Sequence, residues 1–174
     1  MNPRLFLAAV FAVAWDNSAI AEVTAKSLQL MRPAVQIPAT KFSDGRKLVA
    51  LESFRGRSVI LNVWATWCGP CVKEMPSLDR LSAKMAGDNL VIVAVSQDNG
   101  GQSQVKPFLD KLKVKNVTIL YDHSQRAFRD FGIRGLPTTF VISPEGKILA
   151  RLEGAAEWDT PAMVRQIKEL TGAK

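Results

Sequence analysis

Val63-Trp64-Ala65-Thr66-Trp67-Cys68-Gly69-Pro70-Cys71-Val72-Lys73-Glu74-Met75-Pro76 contains both cysteines of the chain. The stretch leading into it, Ser58 to Trp64, is a continuous apolar run broken only by Asn62. A run of that kind suits a strand buried on both faces. The stretch leading out, Cys68 to Met85, reads as a helix. A kink is expected at Pro76, because proline removes one helical hydrogen bond and clashes with the preceding turn. The cysteine pair therefore stands where a buried strand hands over to a helix. As a staple such a pair is poor: loop entropy gives about 2 kcal/mol for so short a ring, against roughly 3 for a 15-residue loop. Its placement suits reactivity better. At the helix N-terminus Cys68 feels the positive end of the dipole and unpaired backbone N–H groups, both of which lower a thiol's pKa. Gly69 and Pro70 suit the first turn, where no intrahelical donor is needed. Cys71 lies one turn along, within reach of a mixed disulfide on Cys68, which is the geometry of thiol–disulfide exchange. Taken alone, a C-x-x-C pair could also be half of a zinc site.

Strand and helix signals alternate outward from this centre. Phe42 to Val49, with Asp44-Gly45 between apolar flanks, reads as a hairpin, and Leu51 to Phe54 as a short helical turn. Leu90 to Ser96 is a second buried strand, followed by a loop over 97–101 and a helix over Gln104 to Leu112 with Val105, Phe108, Leu109 and Leu112 on one face. Val117 to Tyr121 is a third strand, and Gln125 to Phe131 a short helix ending at Gly132. Thr138 to Ile142 and Lys147 to Leu152 flank the turn Ser143-Pro144-Glu145-Gly146 as an antiparallel hairpin. Thr160-Pro161 caps and opens a last helix that runs to about Thr171 and stops at Gly172. Residues 22–36 show no clear period and are expected to form an ordered arm. This order predicts an α/β fold: a central mixed sheet flanked by helices.

The chain has 174 residues, 47% hydrophobic and 22% charged, which excludes wholesale disorder and collagen-like or coiled-coil architectures. Two cysteines rule out a disulfide-stapled scaffold and a four-cysteine zinc site. The net charge is +7. Lys106, Lys111, Lys113 and Lys115 form the densest basic group and read as a solvated helix face and its following loop, so no nucleic-acid partner is expected. Arg4, the apolar run Leu5 to Trp15 and the small-x-small site ending at Ala21 read as a secretory signal, or else as an N-terminal anchor. The expected organisation is a signal over 1–21, an arm over 22–36 and one domain over 37–174.

The quoted stretch resembles the active site of the thioredoxin superfamily and, within it, the exported TlpA/ResA-like branch. Gly135-Leu136-Pro137-Thr138-Thr139-Phe140 is similar to the strand of that superfamily that begins at a cis-proline. The resemblance covers roughly Gln36 to Leu170. It implies a thioredoxin-like fold extended by an N-terminal β-hairpin and an inserted strand–helix. It also implies that Pro137 is cis and lies beside Cys68, so that the Leu136 backbone can pair with an extended substrate. Where thioredoxins carry a buried aspartate, this chain has Asn62, which cannot take a proton. The TlpA/ResA branch places a glutamate three residues after the second cysteine, and Glu74 matches it. A partly buried carboxyl there could accept the Cys71 proton; the other reading of Glu74 is a surface residue paired with Lys or Arg. Trp67 is read as a substrate platform, with core packing as its alternative, Trp64 as core, and His123 as a loop residue near a helix start.

The resemblance implies an exported, periplasmic thiol–disulfide oxidoreductase, mainly a reductant. Cys68 and Cys71 would do the chemistry with Glu74 and Pro137, and Trp67, Gly69, Pro70 and Leu136 would meet the substrate. It implies no cofactor and no metal, a disulfide-containing protein substrate, a membrane electron donor of the DsbD/CcdA type and a monomer. Family members reduce cysteines of apocytochrome c or of the copper site of cytochrome oxidase. A peroxiredoxin-like peroxidase is a second reading, but it wants Thr or Ser where Ala65 stands. A copper-binding module is a third, but it wants C-x-x-x-C and a distant His, and His123 lies in the wrong motif.

Overall fold

The computed structural model describes residues 27–173; the signal-like segment lies outside them. Eight strands form one sheet in the order β1-β8-β7-β4-β5-β6-β2-β3. They are β1 Gln29–Gln36, β2 Lys41–Ser43, β3 Leu48–Ala50, β4 Ser58–Trp64, β5 Leu90–Ser96, β6 Thr118–Tyr121, β7 Thr138–Ile142 and β8 Lys147–Glu153. The helices are α1 Gly69–Lys84, α2 Gly101–Leu112, α3 Arg126–Asp130 and α4 Pro161–Thr171, with a 3-10 turn over Leu51–Phe54. β4, β5 and β6 are parallel. β7 runs antiparallel to β4, and β8 to β7.

β4 is buried along its whole length because the sheet has a layer on each face. Alternation sends Ile60 and Trp64 into one core with Met75, Leu78 and Leu81 of α1, Val105 and Leu109 of α2, and Met163 and Ile167 of α4. Val59, Leu61 and Val63 face a second core with Phe42, Leu51, Ala127, Phe131 and Phe140. In β8, Ile148 and Ala150 fall into opposite cores although they are two residues apart. The register slips there, Val141 facing Ala150 while Ile142 faces Ile148, and the extra residue turns the strand over.

The strands and helices anticipated from the sequence are present. The hairpin turns at Asp44, whose carboxylate accepts the N–H groups of Arg46 and Lys47, each at 2.8 Å, and at Gly45, whose φ of +92° favours a residue without a side chain. Three elements differ from the reading. The stretch read as an aperiodic arm contains β1, paired to β8 and interrupted by a register shift around the cis Arg32–Pro33 peptide. α1 carries Pro76 inside it, as read, and its bounds are one residue shorter at each end, Gly69–Lys84. α2 begins at Gly101, three residues earlier than read, because two consecutive glycines look like loop residues; here the Gln104 side chain accepts the Gly100 N–H at 3.1 Å and closes the first turn. The lysine group is a solvated face, Lys106 pairing with Asp110 one turn on at 2.9 Å.

Candidate active site

β4 ends at Trp64 and the chain turns at once, the Cys68 N–H donating to the Ala65 carbonyl at 3.2 Å. Cys68 is the N-cap of α1, with extended backbone, and its sulfur accepts the Cys71 N–H at 3.3 Å. Pro70 sits in the first helical turn, where its missing N–H costs nothing. The two sulfurs are bonded to each other at 2.02 Å. The pair is asymmetric: Cys68 is 7% exposed and Cys71 fully buried. Gly69 and Pro70 are exposed beside it, and so is Trp67, at 66%, which excludes core packing for that ring. Trp64 is the core residue, fully buried and 6.4 Å from Phe108 between ring centroids.

Pro137 precedes β7. Thr138 faces Val63 in the β4–β7 register, so Pro137 falls at the end of β4 from which the cysteine turn departs. The Leu136–Pro137 peptide is cis. The Pro137 carbonyl accepts the Gly154 N–H at 2.7 Å. Leu136 lies before the first residue of the β7 ladder, half-buried against both cores. His123 lies in the loop before α3, its ring 6.4 Å from that of Tyr121.

Glu74 is 2% exposed, so the surface alternative for it falls. One carboxylate oxygen, Oε1, accepts from Asn62 Nδ2 at 2.8 Å; the other, Oε2, accepts from the Ala156 N–H at 3.0 Å and from Trp158 Nε1 at 2.9 Å. Asn62 Nδ2 also donates to Thr139 Oγ1 at 2.9 Å. Three N–H donors converge on one buried carboxyl, so both of its oxygens are partnered. Asn62 is thus a partner of Glu74 as well as a departure from the thioredoxin pattern. Trp158 and Ala156 had no signal in the sequence: they reach Glu74 across more than eighty positions, through the folding of the β8–α4 connection onto α1. That connection is pinned by Arg80, which donates to Asp159 Oδ2 at 2.8 Å and to Glu157 Oε1 at 2.6 Å. The hydrogen bond from Arg80, with its charge, holds the Asp159 carboxyl down to about 2.

A second buried carboxylate escaped the sequence reading. Asp98, 1% exposed, follows β5. Its Oδ1 accepts from Thr66 Oγ1 at 2.6 Å and Gln104 Nε2 at 2.9 Å, and its Oδ2 from the Thr66 N–H at 2.9 Å and Ser96 Oγ at 2.8 Å. The only advance sign was an acidic residue in an uncharged loop. Beyond it Asp122, also buried, accepts from the Ala127 N–H at 2.8 Å and from Gln97 Nε2 at 3.2 Å, anchoring α3. Chemically, the arrangement offers a slightly exposed sulfur at a helix N-terminus, a fully buried second sulfur that can displace it, and a buried carboxyl one helical turn further.

The redoxin family model matches residues 32–168. The chain is 34% identical over 110 residues to the thiol-disulfide oxidoreductase ResA of Bacillus subtilis, covering 62% of this chain and 59% of that protein. It is 33% identical over 111 residues to ResA of Bacillus anthracis, covering 64% and 62%. The chain thus spans about three fifths of the length of the curated relatives it matches. Among solved structures it is similar to a putative thiol:disulfide interchange protein DsbE from Chlorobium tepidum, with a TM-score of 0.71 and 28% identity over 83% of this chain and 99% of that one. It is also similar to the exposed lipoprotein thioredoxin of Streptococcus pneumoniae strain TIGR4, with a TM-score of 0.63 and 29% identity over 75% and 98%. A match over most of the chain, on a thioredoxin-like sheet with a C-x-x-C pair at the mouth of its first long helix, places this protein in the redoxin family of the thioredoxin superfamily.

Proposed function

We propose that the protein is a thiol–disulfide oxidoreductase that reduces disulfides in partner proteins. The observation that carries this reading is the asymmetry of the pair. Cys68 stands at the end of α1 with the Cys71 N–H aimed at its sulfur, and Cys71 is sealed beneath it. In the reduced protein the Cys68 thiolate attacks one sulfur of the substrate disulfide. That S–S bond breaks, a mixed disulfide forms on Cys68, and the first substrate thiolate leaves. Cys71, giving its proton to the Glu74 carboxylate, attacks the Cys68 sulfur, and the second substrate thiolate departs. The substrate gains two electrons and the pair returns to the disulfide. Trp67 and the Leu136 backbone flank the sulfur and hold the substrate, with Gly69 and Pro70 leaving the approach open.

The relatives named ResA and DsbE are thiol-disulfide exchange proteins by name, which supports this class. A finer reading joins the signal-like N-terminus, which supports export to the periplasm, to the resemblance to the TlpA/ResA branch, which supports a monomer recharged by a membrane dithiol donor of the DsbD/CcdA type and serving cysteines awaiting haem or copper. Among the described residues no helix is long and apolar enough to cross a membrane. The test uses the reduced full chain with a disulfide-linked protein such as insulin. The wild type should reduce it, and substoichiometric iodoacetamide should label Cys68 well before Cys71. Cys71→Ser should accumulate a mixed disulfide on Cys68. Equal labelling of the two sulfurs, or no trapped adduct, would overturn the reading.

A further inference from the structure

We propose that Asp98 is a positioning residue for the reactive sulfur: its buried carboxylate clamps the Ala65–Cys68 turn onto β5 and α2 and thereby sets how Cys68 meets the N-terminus of α1. The inference rests on the reading of Cys68 as the attacking sulfur.

A carboxylate 1% exposed is costly to bury unless its lone pairs are filled. At Asp98 they are filled evenly, two donors to each oxygen, and all four donors are neutral groups. Two belong to Thr66, its N–H and its hydroxyl, and Thr66 lies two residues before Cys68 inside the turn that the Cys68 N–H closes on Ala65. The same turn is held at its entrance, where the Gln97 N–H donates to the Trp64 carbonyl at 2.8 Å. Gln104 ties in the first turn of α2, its Nε2 reaching Asp98 Oδ1 and Thr66 Oγ1, the latter at 3.1 Å, while its Oε1 accepts the Gly100 N–H. On the other side Ser96 Oγ both donates to Asp98 Oδ2 and accepts the Asp98 N–H at 3.0 Å. The turn is therefore fastened from β5 and α2. Trp67, between Thr66 and Cys68, is largely exposed, and the clamp on Thr66 holds the backbone from which its ring projects.

The physical consequence lies at the sulfur. The donors of the first turn of α1, the Cys71 N–H among them, stabilise a thiolate at Cys68 only while the turn holds the sulfur over them. An amide in place of the carboxylate keeps the size but offers one acceptor oxygen and adds two donors, so at least two of the present donors lose their partner. The turn then relaxes, and the thiolate loses part of its stabilisation.

The experiment follows the pH dependence of iodoacetamide labelling at Cys68 in the reduced full chain, with thermal stability and insulin-reduction kinetics on the same samples. It compares wild type, Asp98→Asn, Thr66→Val and Gln104→Leu. In Asp98→Asn the labelling midpoint should move up by about half a pH unit or more, and kcat/KM should fall roughly 10- to 100-fold, the scale expected when a reacting group is slightly misplaced. Thr66→Val, which keeps the backbone donor, should move the midpoint in the same direction by less. A lowered melting temperature with an unmoved midpoint would make Asp98 a packing residue only. A midpoint that moves down would mean that Asp98 acts through its charge and not through the turn. Either result overturns the proposal. Should Asp98→Asn fail to fold, Thr66→Val and Gln104→Leu decide, and unmoved midpoints in both overturn it. Wild-type labelling that does not favour Cys68 would instead remove the reading of the nucleophile, and the proposal with it.

Discussion

Cys68 and Glu74 occupy one helix, yet their surroundings prepare them for opposite tasks. The sulfur has a backbone N–H aimed at it and the exposed residues Trp67, Gly69 and Pro70 around it, which is what a nucleophile needs. The carboxyl has no such opening and is held by three donors. Glu74→Gln tests its part as proton acceptor. Resolution of a trapped mixed disulfide should slow by about 10²–10⁴, the usual range for loss of a general base, and its pH profile between 5 and 9 should change, the variant's rate rising with pH as Cys71 ionises without help. Superimposable wild-type and variant profiles would mean that the Cys71 proton goes directly to water. Asn62→Asp probes the same contact from the other side. It puts a second carboxyl where an amide now donates to Glu74 at 2.8 Å. Two carboxylates this close cannot both ionise, so one binds its proton more tightly in the folded state than in the unfolded. Its folded-state pKa is raised, so stability falls as pH rises through the carboxylate range. Denaturation should find the variant about 3 kcal/mol less stable than wild type at pH 7, with a smaller gap at pH 4.

Local pattern and long-range closure divide what could be read at the scale of elements. The cysteine pair, the buried strand before it and the Leu136–Pro137 step are runs of adjacent residues whose chemistry shows without a partner. β1 is different: almost all of its residues are exposed, so no alternation marks it, and it is a strand only because the edge of β8 is there to pair with. Glu74 meets Ala156 and Trp158 from the connection after β8, and Asp98 meets Thr66 from the turn after β4, and no local rule reports where those land. The β8–α4 connection is also an element whose stability depends on pH. Arg80 lowers the Asp159 carboxyl from 3.8 to about 2. A depressed carboxyl contributes stability that is present above its unfolded value and is lost as pH falls towards the folded one. Asp159→Asn should therefore be less stable than wild type at neutral pH. The two stability curves should converge between pH 4 and pH 2, a window that acid denaturation followed by circular dichroism can resolve.

The molecule as a whole is a sheet with two cores, and β4 serves both along its whole length. Everything read as chemistry gathers at its C-terminal end: the cysteine turn that follows it, Pro137 beside it, Asp98 and the start of α2 behind. Leu61→Ala, in the middle of β4 and away from that end, should cost about 3 kcal/mol through loss of burial and the cavity left behind. It should leave the labelling preference of the two sulfurs unchanged, because Leu61 faces the second core, whereas Ala65, Cys68 and Cys71 sit in the first. A displaced preference would show that the strand's packing sets the site. The hydrogen bond from the Trp158 indole to Glu74 has a further use. A proton arriving on that carboxyl must disturb a donor on the far side of it, and an indole N–H is a single, well-separated signal in a nitrogen-edited spectrum. The protein thus carries its own probe of the buried proton: the Trp158 indole resonance and the Ala156 amide should shift together as the Cys71 proton reaches Glu74 during resolution of a mixed disulfide, and in Glu74→Gln neither should shift.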